Sequence, residues 1–377
     1  MKNANTSSLT KLFAGLIIGI VIIFLIGTAV NGWQKDPNGE NSGEFDTTID
    51  NADKPNGDTN INGGTADNIS PEDEIASNEP KYPDYTNYLT GLETSAELSG
   101  IIPYAFVTET SAPLYGISDS ELTIEIPIEN GESRFLIYRT DISNLGKIGA
   151  VANTRDYISQ IVKFFGGVLV ANGDDDIVSY SSLPSTLHID LSKKHDYIYR
   201  ENGKNIYPDY QNVMTATKDE GIDISSYISH NIPFEFCDYN DSVHGKTKAE
   251  NVCLPFGSGE TSLVYNSEKE EYMLLKNGRE KIDMLNGKTA SYQNAFVLFA
   301  DMITYEMSSG TETVVNTAGK GTGYYITCGT LTEIRWSVDQ SGQLLFKNLN
   351  GEKLVVNRGN SYIGYYKASE ANAVYFE

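Results

Sequence analysis

The chain has 377 residues, with 51 Asp and Glu against 28 Lys and Arg, and its formal net charge is −23. Proteins that bind nucleic acid neutralise phosphates with clustered basic side chains, and the sequence has no basic patch of that kind. The composition therefore argues against nucleic acid as a partner, and it disfavours other polyanions for the same reason.

The first notable element is an apolar run at residues 12–30, LFAGLIIGIVIIFLIGTAV, which carries no charged side chain. At about 1.5 Å per residue, a helix of this length reaches about 28 Å, roughly one hydrocarbon core. A secretory signal has a shorter apolar region and a small-residue cleavage site, which is not evident here. The run therefore predicts an uncleaved, single-pass anchor in the cell membrane.

Basic residues set the predicted orientation of this anchor. Lys2 and Lys11 precede it, and acidic residues dominate after it. The positive-inside rule therefore predicts a cytoplasmic N-terminus at residues 1–11 and places the rest of the chain outside the cytoplasm. No Cys comes directly after the apolar run, so the lipid-modified cysteine of a lipoprotein is not available.

Residues 31–80 are rich in Asn, Gly, Asp, Thr and Ser and have few apolar side chains. Such a segment cannot bury enough surface to offset the entropy lost on ordering, so it is predicted to be a disordered acidic linker. A coil of this length typically reaches about 35–42 Å.

Residues 81–230 combine helical and strand patterns. Two apolar runs, 123–128 and 134–138, flank the turn Glu129-Asn130-Gly131 and predict a hairpin. Residues 154–165 have apolar positions at helical spacing, and 167–171, GVLVA, reads as a buried strand. These features predict an α/β domain.

Residues 231–377 contain short β-rich runs such as 295–300, 323–327 and 353–356, separated by turns with Asn-Gly. Asn-Gly between alternating segments is the strongest local indication of a hairpin. The predicted fold class is therefore α+β: a transmembrane helix and linker, then the α/β domain, then a mainly antiparallel β domain.

Several ordered motifs are similar to those of the YerB-like family, exported bacterial proteins with paired N- and C-terminal domains of unknown function (DUF3048). They are YLTGL at 88–92, GESRFLIY at 131–138, KIGAVANTRDYI at 147–158, the segment 270–299 and GKGTGYY at 319–325. The resemblance covers nearly all of residues 86–366. It implies a fold and an exported location, and it brings no established activity.

The chain departs from the family pattern at several polar positions. Where the pattern has a His after the buried strand, this chain has Val170, and where it has Pro-His-Asn, this chain has Tyr210-Gln211-Asn212. The first Arg of an Arg-Ser-x-Arg pattern falls on Ala152. Asn212 is thus the retained residue of its segment and a candidate for ligand binding.

The best polar cluster in the sequence is Glu121, Glu125, Arg134 and Arg155. Acids four apart on a strand point to one face, and guanidinium groups pair with carboxylates in bidentate fashion. The cluster is a candidate site for a carboxylate or sugar ligand. The alternative is a structural salt-bridge network between sheet and helix.

Metal binding has weak support in the sequence. Asp174, Asp175 and Asp176 follow the GVLVA strand and could coordinate Ca²⁺, but EF-hand spacing is lacking, so a solvated turn is favoured. The only conceivable group of soft metal ligands is His244 with Cys237 and Cys253, and no zinc motif is present. No cofactor is predicted, with Ca²⁺ as the alternative.

The chain has three cysteines, Cys237, Cys253 and Cys328, an odd number that does not indicate a disulfide framework. A Cys237–Cys253 bridge is one alternative outside the cell. The favoured interpretation is that all three are small, half-buried side chains.

Three hypotheses for function follow. The first is a non-enzymatic binding or scaffold protein that recognises a cell-envelope component. The second is an enzyme that modifies wall polymer, with Glu121 or Glu125 as acid or base and Arg155 orienting an anionic group. The third is a structural partner of another envelope protein.

Overall fold

A computed structural model describes residues 83–173, 187–193, 199–201, 205–225, 233–257, 259–307 and 310–377. The predicted anchor at 12–30, the linker at 31–80 and the turn with Asp174, Asp175 and Asp176 lie outside these residues and stay predictions. Across the described ranges, no helix is both long and apolar enough to cross a bilayer.

The described chain is mostly β-structure with few helices. The α-helices are α1 (Ala96–Ser99), α2 (Asp156–Phe165) and α3 (Tyr210–Asp219). The strands of the first half are β1 (Tyr104–Glu109), β2 (Leu122–Pro127), β3 (Ser133–Arg139), β4 (Val168–Ala171), β5 (Leu187–Asp190), β6 (Tyr199–Glu201) and β7 (Asn205–Tyr207). Those of the second half are β8 (Glu235–Phe236), β9 (Thr247–Lys248), β10 (Asn251–Phe256), β11 (Gly259–Asn266), β12 (Glu271–Lys276), β13 (Arg279–Glu280), β14 (Ser291–Tyr292), β15 (Asn294–Ala300), β16 (Met302–Met307), β17 (Gly310–Val315), β18 (Lys320–Thr327), β19 (Thr330–Val338), β20 (Leu344–Asn348), β21 (Val355–Val356), β22 (Ser361–Lys367) and β23 (Tyr375–Phe376).

The strands form two main sheets. The larger has the order β20-β19-β18-β15-β22-β2-β3-β1-β4-β5, with β9 beside β19. The smaller has the order β13-β12-β11-β10-β23, with β14 beside β12. Three two-stranded pairs, β16–β17, β8–β21 and β6–β7, complete the described sheets.

The larger sheet is covered on both faces, and alternation along its strands divides the core. In β1, Ala105 and Val107 face the apolar stripe of α2, while Tyr104 and Phe106 face α3. This end of the sheet is a helix–sheet–helix sandwich, because successive side chains of a strand point to opposite faces. The predicted α/β layering of this region is confirmed.

Further along, the same sheet packs against the smaller sheet. Phe135 of β3 and Val297 of β15 share a buried cluster with Leu254 of β10 and Leu274 of β12. The second half of the chain is thus β-rich, as predicted. Local bounds differ by a few residues: α2 begins two positions later than the predicted helix, and the predicted strand 353–356 is limited to β21.

The parallel pair β2–β22 joins the two halves of the chain. Leu122 lies opposite Ser361, and Glu125 lies opposite Gly364. The ranges 81–230 and 231–377, predicted as two domains, therefore contribute strands to one continuous sheet.

Candidate functional site

Two adjoining cavities open at the tip of the β2–β3 hairpin, and we call them together the tip groove. The larger has a volume of about 330 Å³ and the smaller about 110 Å³. Both are lined by Gly131, Glu132 and Phe256, so they lie side by side. The walls come from the hairpin tip, the end of β10, the β16–β17 hairpin and the end of β12.

Close approach of two glycines shapes the floor of the groove. A side-chain carbon added to Gly257 would lie 2.8 Å from the Cα of Gly131, which is closer than real contacts allow. Gly131 also has a φ of 72°, in the left-handed region that favours glycine. Two glycines at this point let the hairpin tip contact β10 directly.

The larger cavity has aromatic and hydroxyl-bearing walls. The rings of Phe256 and Tyr366 are edge to face with centroids 5.8 Å apart, and Tyr366 donates a hydrogen bond of 2.7 Å to the carbonyl of Pro255. Thr304 and Thr313 line the same cavity, and their hydroxyls lie 3.2 Å apart. Rings with fixed orientation beside hydroxyl groups suit a ligand with both apolar faces and polar edges.

A bidentate ion pair fixes the hairpin tip. Arg155, the residue before α2, donates to both carboxylate oxygens of Glu129 at 3.0 and 2.6 Å. Burial opposes ionisation of Glu129, but the hydrogen bonds from Arg155 hold its pKa below the ordinary carboxyl value, and the pKa of Arg155 is raised in return. The backbone N–H of Thr313 also donates to Glu129 at 3.4 Å, which ties β17 to the tip.

Glu125 lies at the centre of a buried polar network. Its Oε1 accepts hydrogen bonds from Ser133 Oγ at 2.5 Å, Lys276 Nζ at 2.6 Å and Thr261 Oγ1 at 3.1 Å. Its Oε2 accepts from the Tyr362 hydroxyl at 2.7 Å. The carboxylate has no solvent exposure, and each of its oxygens is satisfied within the protein.

Lys276 connects this network to the groove. Besides Glu125, its ammonium donates to Ser133 at 3.2 Å and to Thr261 at 2.9 Å, so its three protons all have acceptors. The ammonium also lies 4.8 Å from the ring centre of Phe256, and Lys276 lines the smaller cavity. The network therefore supports one wall of the groove from behind.

A second lysine, Lys281, lies behind the same wall. It donates to the carbonyls of Thr110 at 2.6 Å and Ala112 at 3.1 Å. Burial, together with the positive charge of Lys276, lowers its pKa to about 8. Both contacts are to main-chain carbonyls, so Lys281 holds the segment after β1 in place.

Arg134 also lines the smaller cavity. Its Nη1 pairs with Glu109 at 2.9 Å, and its Nη2 donates to Asn153 at 3.4 Å. Its Nε has no hydrogen-bond partner among the described residues. Burial lowers the pKa of the guanidinium, the charge of Glu109 opposes this effect, and the neighbouring charge of Arg155 adds to it.

Glu121 occupies a separate environment. Its Oε1 accepts a hydrogen bond of 3.0 Å from the Thr140 N–H, while its Oε2 has no partner among the described residues. Burial raises the pKa of this carboxyl, and the hydrogen bond from Thr140 and the charge of Arg139 offset only part of the shift. Burial, with a further contribution from the charge of Glu121, raises the pKa of Tyr88.

The structure does not bring the predicted cluster together as one site. Glu121 and Glu125 are four residues apart on extended chain, which separates their Cα atoms by about 13 Å. Arg134 of β3 lies opposite Ile126 of β2, the residue after Glu125. Since successive side chains of a strand point to opposite faces, Arg134 and Glu125 lie on different faces of the sheet. Only Arg134 and Arg155 are electrostatic neighbours, and each already has a carboxylate partner, Glu109 and Glu129 respectively.

Asn212, the other candidate, caps a helix. Its backbone N–H donates to Asp209 at 2.8 Å, and its side chain accepts from the Asp209 N–H at 3.0 Å. This reciprocal pair is a capping box at the start of α3, which satisfies two otherwise free N–H groups.

The cysteines are free, so the alternative of a Cys237–Cys253 bridge is wrong. Cys253 lies in β10, whereas Cys237 follows β8, and both are buried. Among the residues that the structure describes, no group of three or more His, Cys, Asp or Glu side chains could hold a metal ion. His244, Cys237 and Cys253, all among the described residues, therefore do not come together as a metal site.

Sequence reasoning missed Lys276, Ser133 and Phe256 as parts of the site. Lys276 precedes an Asn-Gly turn and is 151 residues from Glu125 along the chain. No local pattern distinguishes it from any other lysine at the end of a strand.

Comparison with known proteins identifies the family. Residues 89–223 match the N-terminal domain, and residues 252–363 the C-terminal domain, of the protein family of unknown function DUF3048. The crystal structure of the YerB protein from Bacillus subtilis is similar with a TM-score of 0.66 and 18% identity, over 78% of this chain and 100% of that chain. A search of curated proteins found no match. The chain belongs to the YerB-like, DUF3048 family.

Proposed function

We propose that this protein is a membrane-anchored, extracytoplasmic binding protein that holds glycan of the cell envelope in the tip groove. The observation that carries the proposal is the larger cavity of about 330 Å³, which is lined by both aromatic rings and threonine side chains. The predicted anchor at 12–30 and the acidic linker support a position outside the cytoplasm.

The chemistry of the lining favours a glycan over a polyanion. Sugar rings offer apolar faces for rings such as Phe256 and Tyr366, and their hydroxyls form hydrogen bonds with side chains such as Thr304. The charged residues of the larger cavity are Glu132 and the ion pair Lys367–Glu370, in which Nζ and Oε1 are 2.7 Å apart. This lining has no excess of positive charge to attract phosphate.

The buried groups behind the groove favour binding over catalysis. Glu125 has no solvent exposure, and Glu129 is committed to Arg155. A general acid or base must lie within hydrogen-bond reach of the reacting group, and these carboxylates face protein donors instead. They make the walls rigid, which lowers the entropy lost when a ligand binds.

The test is retention of the full-length protein, purified in mild detergent, on insoluble peptidoglycan freed of anionic polymers. Thr304→Trp narrows the groove from β16, and Ile303→Trp is the matched control because Ile303 is the preceding residue on that strand and does not line the groove. We expect Thr304→Trp to weaken retention at least about tenfold, equivalent to about 1.4 kcal/mol, and Ile303→Trp to retain wild-type binding.

Two results would overturn the proposal. One is wild-type retention no higher than that of an unrelated protein of similar negative charge. The other is equal retention of the wild type and Thr304→Trp, since a ligand in the groove could not tolerate the added indole.

A further inference from the structure

A third cavity, which we call the thiol pocket, lies apart from the tip groove and has a volume of about 370 Å³. It shares no lining residue with either cavity of the groove. Two of the three cysteines of the chain, Cys237 and Cys328, line it, and Cys253 does not. Pockets of this size accommodate small organic molecules.

Both sulfur atoms of the thiol pocket contact one carboxamide, that of Asn357. The Sγ of Cys237 is 3.6 Å from Oδ1 of Asn357, and the Sγ of Cys328 is 3.5 Å from Nδ2 of the same side chain. Since these two amide atoms share one carbon, both thiols contact a single planar group. The cysteines are far apart in sequence, so only the fold creates this pairing.

The carboxamide is rigidly held. Oδ1 of Asn357 accepts a hydrogen bond of 2.6 Å from the Val243 N–H, and Nδ2 donates to the Val243 carbonyl at 2.9 Å and to Thr327 Oγ1 at 2.9 Å. The side chain of Asn357 is buried. The Asn357 carboxamide is therefore a fixed point of contact for both thiols.

The two thiols differ in access. Cys328 is partly exposed, at the turn between β18 and β19, and its sulfur has hydroxyl neighbours at Thr327 and Ser242, 3.7 and 3.8 Å away. Cys237 is buried, and its sulfur lies 3.4 Å from the carbonyl oxygen of Asp241. Cys328 is therefore the more accessible of the two thiols to a reagent in the pocket.

We infer that Cys328 and Cys237 are a reactive dithiol that undergoes exchange with low-molecular-weight disulfides in the thiol pocket. Cys328 thiolate attacks one sulfur of the small disulfide, forming a mixed disulfide and releasing one small thiolate, which takes up the proton lost by Cys328. Cys237 then attacks the sulfur of Cys328, and the second small thiol leaves with the proton of Cys237. In sum, two cysteines are oxidised to a disulfide and one small disulfide is reduced to two thiols.

The surroundings of the pocket suit such a reagent. Lys269 and Arg358 line the pocket together with Asp238, Asp241 and Glu270, so both signs of charge are present for a zwitterionic disulfide. The sequence predicts that this part of the chain lies outside the cytoplasm, where disulfides form and persist. The inference does not depend on the function proposed for the tip groove.

The test uses the full-length protein in mild detergent, incubated with glutathione disulfide and then treated with an alkylating reagent under denaturing conditions. Intact-mass analysis counts the thiols that remain. For the wild type and for the control Cys253→Ser, we expect the loss of two alkylatable thiols. For Cys237→Ser, we expect one stable glutathione adduct, because the second attack is absent, and for Cys328→Ser we expect none.

Peptide mapping of the oxidised wild type makes the test independent of whether a variant folds. A disulfide that links the peptides containing Cys237 and Cys328 supports the inference. Retention of all three thiols, a disulfide that involves Cys253, or a glutathione adduct on Cys328→Ser equal to that on Cys237→Ser overturns it.

Discussion

Lys276 Nζ lies 2.6 Å from Oε1 of Glu125, a carboxylate with no solvent exposure. Glu125 belongs to β2 in the N-terminal family region, and Lys276 ends β12 in the C-terminal region. Tyr362 of β22 donates to the other carboxylate oxygen. One buried ion pair thus connects the larger sheet to the smaller one behind the tip groove, and, like the β2–β22 pairing, it joins the two halves of the chain.

Removal of Lys276 should be strongly destabilising. In Lys276→Met, the methylene chain remains, but Glu125 loses its cationic hydrogen-bond donor while still buried. Breaking such a pair costs about 3–5 kcal/mol. The measurement is the midpoint and slope of urea unfolding. Lys288→Met is the control, because Lys288 is 68% exposed and 3.8 Å from Asp119, where an ion pair contributes about 0–1 kcal/mol. Equal effects of the two substitutions would contradict this account.

Glu121→Gln should increase stability at neutral and higher pH. Burial raises the pKa of Glu121 in the folded state, so its protonation favours folding below the ordinary carboxyl value of 4.5, and this contribution is lost as pH rises through the raised pKa. Glutamine keeps the acceptor for the Thr140 N–H and has no proton to lose. The advantage of the variant should therefore grow with pH.

The measurement for this prediction is the thermal midpoint of wild type and Glu121→Gln at a series of pH values. Glu268→Gln, at an exposed position, controls for the general effect of removing one negative charge. A gain for Glu121→Gln that is largest at acidic pH would have the wrong sign and would refute the argument.

Gly364→Ala should disturb the Glu125 network. Gly364 lies opposite Glu125 in the β2–β22 pair, and an added carbon would be 3.0 Å from Leu254 Cδ1 and 3.2 Å from the Tyr362 hydroxyl. Overpacking at such a place typically costs about 1–3 kcal/mol. Gly146→Ala is the matched control, because a carbon added there meets nothing within 4 Å. Urea unfolding of both variants measures the difference, and no excess loss for Gly364→Ala would show that the interior adapts.

Local elements were predictable because their determinants are local. The β2–β3 hairpin follows from apolar runs around Glu129-Asn130-Gly131, and Asn130 and Gly131 both have positive φ there, as a tight turn requires. The helix α2 follows from the spacing of its apolar residues, which pack on the sheet. Arg155 forms an ion pair, as the salt-bridge alternative for the predicted cluster requires, but its partner is Glu129 and not Glu121 or Glu125.

The hairpins, the helix α2, the β-rich second half and the family therefore follow from the sequence, since each depends on periodicity, turn residues or ordered motifs. The tertiary structure alone decided that β2 pairs with β22, that Glu125 meets Lys276 and that Cys237 and Cys328 share Asn357. These contacts join residues far apart in the chain. These long-range contacts form because whole sheets are buried and packed against one another, and no local pattern in the sequence predicts them.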